Sequence, residues 1–207
     1  PMSKAIEALL GILDLEELEV NLFRGRSPQE GSQRVFGGQV LGQALIAAGR
    51  TVERDAAHSF HAYFLRPGDP KTPILYQVDR TRDGRSFTTR RIIAIQHGRA
   101  IFHLEASFQK PEPGPEHQDA MPDAPDPESL PDFRERMERH ARRAPADVKR
   151  WIDADRPIDL RYVTEFDPIE PEKLPPRQLL WLRADGRLSD SRLLHQCVVA
   201  YASDLTL

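Results

Sequence analysis

Apolar residues along the first half of the chain switch between two spacings, and the switch marks the elements. Residues 3–10 space their apolar positions as a short amphipathic helix that Gly11 ends. Residues 18–23 (LEVNLF) alternate and predict a strand. After Gly37-Gly38, Val40, Leu41, Ala44, Leu45, Ala48 and Val52 recur at helical spacing and predict a helix over 39–54. That helix is rich in Ala and Gly and carries no charge before Arg50, so it is expected to be buried on most sides. Four strands are then predicted, at 58–65, 74–81, 86–96 and 100–109. Asp83-Gly84 and His97-Gly98 supply turns between the last three. The expected picture is an antiparallel meander long enough to curl around one helix.

Proline then interrupts. Seven of the 18 prolines fall between Pro111 and Pro131, a stretch that can neither hold a helix nor supply the backbone donors of a sheet. Beyond it, helices are predicted at 131–143 and 146–153 and strands at 158–164 and 178–184. Asp185-Gly186 makes a turn, and Asp190 is the expected N-cap of an apolar helix over 191–205. The expected division is 1–110, a linker at 111–131, and 132–207.

The two apolar helices align when shifted by 153 residues, which sets Ala44 on Cys197, Gln43 on Gln196 and Thr51 on Asp204. A strand precedes each helix, and the pattern reads as two copies of one fold. About 55 residues of strand follow the first helix, against only Thr206 and Leu207 after the second. Leu193, Leu194, Val198, Tyr201 and Leu205 would then form a bare apolar patch. The polypeptide is therefore expected to continue by at least roughly 55 residues of sheet.

Charge and composition narrow the chemistry. Lys and Arg number 29 against 32 Asp and Glu, a net charge of −3, which argues against a nucleic-acid binder. No apolar run is long enough to span a membrane. No charged-then-apolar leader opens the chain, and Pro1 before Met2 reads as a cleavage scar. Cys197 is the lone cysteine, which fits a reducing compartment, and a cytoplasmic protein is expected. At its apolar position Cys197 is expected to act as a small core hydrophobe.

Few residues suggest a site. His58 and His61, three apart on a strand, point to opposite faces and make no shared metal site. Gly37 and Gly38 either expose helix N–H groups to an anion or only let a tightly wrapped helix begin. Arg80, Arg82 and Arg85 surround a turn beside Ser86, with Arg90 and Arg91 following. They form either a phosphate-binding patch or a solvated hairpin tip. Asp204 stands out because a carboxylate at a helix C-terminus opposes the macrodipole. It is either a general base for water or part of a frayed helix end.

These stretches together resemble the acyl-CoA thioesterase II (TesB-type) family. The resemblance is carried by VFGGQVLGQAL (35–45), HSFHAYFLRPGD (58–69), RDGRSFTTRR (82–91) and HQCVVAYASDL (195–205), with ASFQ (106–109) and MPDAP (121–125). It implies an α+β double hotdog, each half a curved antiparallel sheet around a long helix, with the second half incomplete at Leu207. It also implies hydrolysis of acyl-CoA to fatty acid and CoA without metal, cofactor or covalent intermediate. The implied catalytic set is an Asp, a Thr or Ser, and a Gln. The family's YASD aspartate matches Asp204, and its two companions match no residue here. Gly37, Gly38, Arg82, Arg85 and Ser86 are the expected substrate contacts. A homo-oligomer is expected, since hotdog sheets commonly pair edge to edge. Two alternatives stand beside this reading: an acyl-CoA binder without catalysis, and a hotdog hydratase or dehydratase. The latter would need a His–Asp pair, and His195 and Asp204 are too far apart in sequence to share a site.

Overall fold

A computed structural model describes residues 3–28, 33–53, 56–141, 149, 152, 154–167, 170 and 172–206. Two compact units make up the chain: Ala8–Gly114 with Leu188–Leu207, and Pro1–Glu7 with Pro115–Arg187.

The larger unit is built on one antiparallel sheet. Its strands are β1 (Glu16–Glu19), β2 (Leu22–Gly25), β3 (Ala56–Phe64), β4 (Ile74–Asp83), β5 (Phe87–Gln96) and β6 (Arg99–Gln109). They lie in the order β1-β2-β4-β5-β6-β3, which leaves β3 at an edge. Helix α1 (Lys4–Leu13) precedes β1, and α2 (Gly37–Gly49) packs against β2 through β6. Alternation on the strands decides what faces α2. Ile74, Tyr76 and Val78 of β4, Ile92 and Ala94 of β5, and Phe102, Leu104, Ala106 and Phe108 of β6 are all buried. Every residue of α2 from Gly38 to Ala48 is buried as well, as its composition predicts.

Helix α1 runs through Gly11 to Leu13 and does not end at the glycine; two further departures from the sequence pattern have local causes. Residues 18–23 are not one strand: the chain reverses at Val20-Asn21, where Asn21 adopts φ 60°, a conformation Asn tolerates because its short amide bonds locally. The helix predicted to Arg54 stops at Gly49. There Thr51 Oγ1 donates to the Ala48 carbonyl at 2.7 Å, and the Arg50 guanidinium bonds the Leu15 carbonyl and Asp14. The His97-Gly98 turn forms as expected, with φ 49° and 69°, the two left-handed residues of a tight hairpin.

The last helix, α4 (Arg192–Ala202), also belongs to this unit. Its N-cap is Ser191, whose Oγ accepts from Leu194 N at 3.3 Å, and not Asp190. It runs antiparallel to α2, and small residues set the approach. A Cβ on Gly38 would lie 2.2 Å from the Tyr201 carbonyl, one on Gly42 3.2 Å from the Cys197 carbonyl, and one on Gly49 2.3 Å from Leu193. Part of the apolar stripe of α4 thus lies against α2: Val198 is 6% exposed, and the bare residue is Val199, at 68%.

In the smaller unit, β7 (Ile158–Tyr162) and β8 (Leu180–Ala184) form an antiparallel hairpin, and α3 (Phe133–Ala141) packs on β7. Both strands are shorter than their patterns, and α3 begins after Pro131. Asp132 Oδ1 accepts from Glu135 N at 2.8 Å and Glu135 Oε2 from Asp132 N at 3.0 Å, a reciprocal capping box. Pro127–Ser129 forms one 3-10 turn within the proline-rich stretch, capped by Asp126. The helix predicted at 146–153 lies almost wholly outside the described residues.

Candidate functional site

Asp204 lies beyond the end of α4, not inside it. Ser203 is the C-cap, and the turn that follows carries Asp204 to the N-terminus of α2. There its Oδ2 accepts from Gly38 N at 2.8 Å. The N-cap residue of α2 is Phe36, whose side chain has no acceptor to offer, so Asp204 takes over a capping task from a distant part of the chain. The carboxylate that opposed the dipole of its own helix therefore sits at the favourable end of another. Gly37 makes the room: a Cβ there would lie 2.6 Å from Asp204 Oδ2 and 3.0 Å from the Phe64 ring. Among the described residues, Asp204 Oδ1 has no hydrogen-bond partner.

A cleft of about 390 Å³ opens at this point. Asp204, Gly37 and Val40 line it together with the apolar rings of Phe64 and Phe102 and with a wall made by Leu65 to Gly68 and Val35. The two rings meet at 5.0 Å between centroids. Arg34 and Arg66 stand at the rim, with Arg66 also donating to the Ala100 carbonyl at 2.7 Å. The wall is firmly held. Gly68 O accepts from Val35 N at 2.9 Å, and Leu65 N and Arg66 N both donate to the Ile101 carbonyl. Sequence reasoning missed this wall; its available signal was Gln96, a polar residue at an inward position of a strand whose neighbours Ile92 and Ala94 are apolar.

The other expected residues separate. Arg82 and Arg85 are exposed at the β4–β5 turn, and Ser86 Oγ donates to Glu112 at 2.9 Å. Register places this turn level with Ala56–Ser59, whereas the cleft is level with Phe64. At strand rise and spacing, that is on the order of 20 Å away. Arg90 leaves the phosphate patch altogether. It is 1% exposed, and its guanidinium donates to Thr51 Oγ1, to the Thr51, Arg82 and Thr89 carbonyls, and to Asp83. Arg80 bonds Asn21 at 3.0 Å.

Both glutamines of the repeat alignment are engaged with their surroundings. Gln43 is fully buried, donates to the Ile12 and Arg26 carbonyls and accepts from Tyr76 Oη at 2.7 Å. Gln196 brackets Ala57, accepting from its N–H and donating to its carbonyl. His195 bonds the Ser189 carbonyl and lines a separate apolar groove of about 370 Å³ with His58 and Phe60. It does not share a site with Asp204. Cys197 is buried, and burial pushes its thiol far above the ordinary range. His58 bonds Ser107 at 2.8 Å, and no group of metal-ligating side chains occurs among the described residues. No helix among the described residues is long and apolar enough to cross a membrane.

Comparison with known proteins gives this geometry its family. Residues 25–109 match the acyl-CoA thioesterase N-terminal domain. The chain is 42% identical over 202 residues to acyl-coenzyme A thioesterase 8 of Homo sapiens, across 93% of this chain and 63% of that protein. It is 40% identical over 204 residues to acyl-CoA thioesterase 2 of Haemophilus influenzae, across 98% of this chain and 71% of that one. The crystal structure of acyl-CoA thioesterase II TesB2 from Mycobacterium marinum superposes with a TM-score of 0.72 at 43% identity, over 97% of this chain and 68% of that chain. A protein from Alicyclobacillus acidocaldarius described as having a hot dog fold superposes with a TM-score of 0.71 at 21% identity, a likeness of fold alone. The chain thus spans less than two thirds of the length of the human relative. The sheet around α2 is a hotdog, and the chain belongs to the acyl-CoA thioesterase II (TesB-type) family.

Proposed function

We propose that the protein hydrolyses acyl-CoA thioesters to a free acid and CoA, and that Asp204 orients and activates the water. One observation carries the reading: a carboxylate fixed through one oxygen to Gly38 N, its other oxygen without a partner among the described residues, beside a cleft lined by Phe64 and Phe102. In the reaction the Asp204 carboxylate takes a proton from water as the water oxygen bonds to the thioester carbonyl carbon. The tetrahedral intermediate then collapses, the C–S bond breaks, and CoA leaves as a thiolate that takes up the proton Asp204 accepted, which restores the carboxylate. A thiolate is a good leaving group, so no strong general acid is needed. Anchoring Oδ2 spares the carboxylate a search through rotamers and is worth part of the orientation effect.

The resemblance implies a Thr or Ser and a Gln beside this aspartate, and the proposal gives those roles to no residue of this chain. Gly37 and Gly38 enter as the seat of the carboxylate. The turn bearing Arg82, Arg85 and Ser86 takes part only with a ligand as long as an extended CoA. We further propose that 132–207 begins the second hotdog of the double fold, and that the protein is a homo-oligomer using the β3 edge. Turnover of a series of acyl-CoAs by the full-length protein, followed as release of free CoA thiol, tests the reading. Release above the uncatalysed rate is expected; binding without release would make it an acyl-CoA binder.

A further inference from the structure

The Leu65–Gly68 wall of the cleft has no regular secondary structure, yet the residue that follows it is pinned by a single side chain. Gln96, the last residue of β5, is 4% exposed and points to the inner face of the sheet. Its Oε1 accepts from Asp69 N at 2.8 Å, and its Nε2 donates to the Asp69 carbonyl at 2.8 Å and to the Thr72 carbonyl at 2.6 Å. Both backbone groups of Asp69 are thus held by one amide, which acts as a neighbouring strand's peptide would. From the solvent side, Asp69 completes the clasp. Its carboxylate accepts from Lys71 N and Thr72 Oγ1, both at 2.9 Å.

The clasp bears directly on the cleft. Gly68, next to Asp69, receives the Val35 N–H, and the Cβ it lacks would lie 3.0 Å from Val35 Cγ2. Gly68 and Val35 both line the cleft, and Val35 leads through Phe36 into the helix end that Asp204 caps. Gln96 itself does not line the cleft and has no contact with Asp204.

We propose that Gln96 is a positioning residue for the acyl-CoA substrate: by holding Asp69 it fixes the adjoining Leu65–Gly68 wall, against which the non-reacting part of the substrate rests. The inference rests on the thioesterase reading. Because the wall meets substrate away from the reacting carbon, losing its support removes binding common to ground and transition states.

The test is steady-state kinetics of Gln96→Glu and Gln96→Met in the full-length protein, below the melting transition. Gln96→Glu keeps the acceptor for Asp69 N but turns carboxylate oxygen toward the Asp69 and Thr72 carbonyls. KM is expected to rise about tenfold or more while kcat stays within about threefold. Should either buried substitution fail to fold, Asp69→Ala opens the same clasp from the exposed side and is expected to raise KM in the same direction. A merely structural glutamine would lower Tm and leave both constants in place. Unchanged KM in folded variants with an active wild type overturns the role of Gln96 and leaves the hydrolase reading standing. No turnover by the wild type overturns the hydrolase reading, and this inference with it.

Discussion

Gly37 and Gly38 do their work through the atoms they lack. Either glycine reading drawn from sequence, anion site or tight start, describes only part of the outcome: the anion is Asp204 of the same chain, and the tight approach is that of α4. Spacing along the sequence cannot reveal this, because the two partners lie 166 residues apart. Gly37→Ala is expected to displace the carboxylate and cut turnover while costing about 1–3 kcal/mol, the scale of overpacking. Its far-ultraviolet circular dichroism should match the wild type. Cys197 offers a residue-scale test of the core. Its role as a small hydrophobe was legible from its place on an apolar face. A thiol this buried should not react with a disulfide reagent at pH 8 until the protein is unfolded, and rapid labelling of the native state would contradict the packing described.

Among the elements, β5 shows what pattern can and cannot reveal. Its alternation was legible, and so were its turns. What the alternation hid is that both ends of its inner face are polar: Thr88 and Arg90 at one end, Gln96 at the other. Arg90 holds the last turn of α2 through Thr51, placing a cation at the negative end of the helix. Arg90→Met would strand the Thr51 and Arg82 carbonyls and is expected to cost about 2–4 kcal/mol by urea denaturation. A loss under 0.5 kcal/mol, the usual scale of a surface change, would contradict this account. The loop after β3 gives a pH dependence. The Lys71 N–H first, then the Thr72 hydroxyl and His97, hold the Asp69 carboxyl below the usual carboxylate range. A depressed carboxyl stabilises the fold above its unfolded value of about 4, and that contribution is lost as pH falls through the lower folded value. The stability difference between wild type and Asp69→Ala is therefore expected to be present above about pH 4 and to shrink below it. The helix over 39–54 was overextended by sequence reading for a related reason: its end is set by Thr51, Arg50 and Arg90, side-chain contacts that periodicity does not encode.

For the whole molecule, the order of elements in the first hotdog was legible because each strand alternates and each hairpin carries its turn residues. The pairing of α4 with α2 was not. Periodicity identified both helices and which faces were apolar, but not that part of the α4 face packs on α2: Val198 is buried there, while Leu193, Leu194, Tyr201 and Leu205 stay half-buried. Asp204 was singled out for an electrostatic misfit, and that misfit is resolved once the partner helix is in place. Asp204→Asn in the full-length protein is the direct test of the proposed chemistry, because the amide can still accept from Gly38 N yet cannot take a proton from water. The measurement is kcat for CoA release from a saturating acyl-CoA. A fall of about 10²-fold or more in a protein with unchanged Tm is predicted. A kcat near that of the wild type would contradict the role of Asp204 and, with it, the site described around the α2 N-terminus.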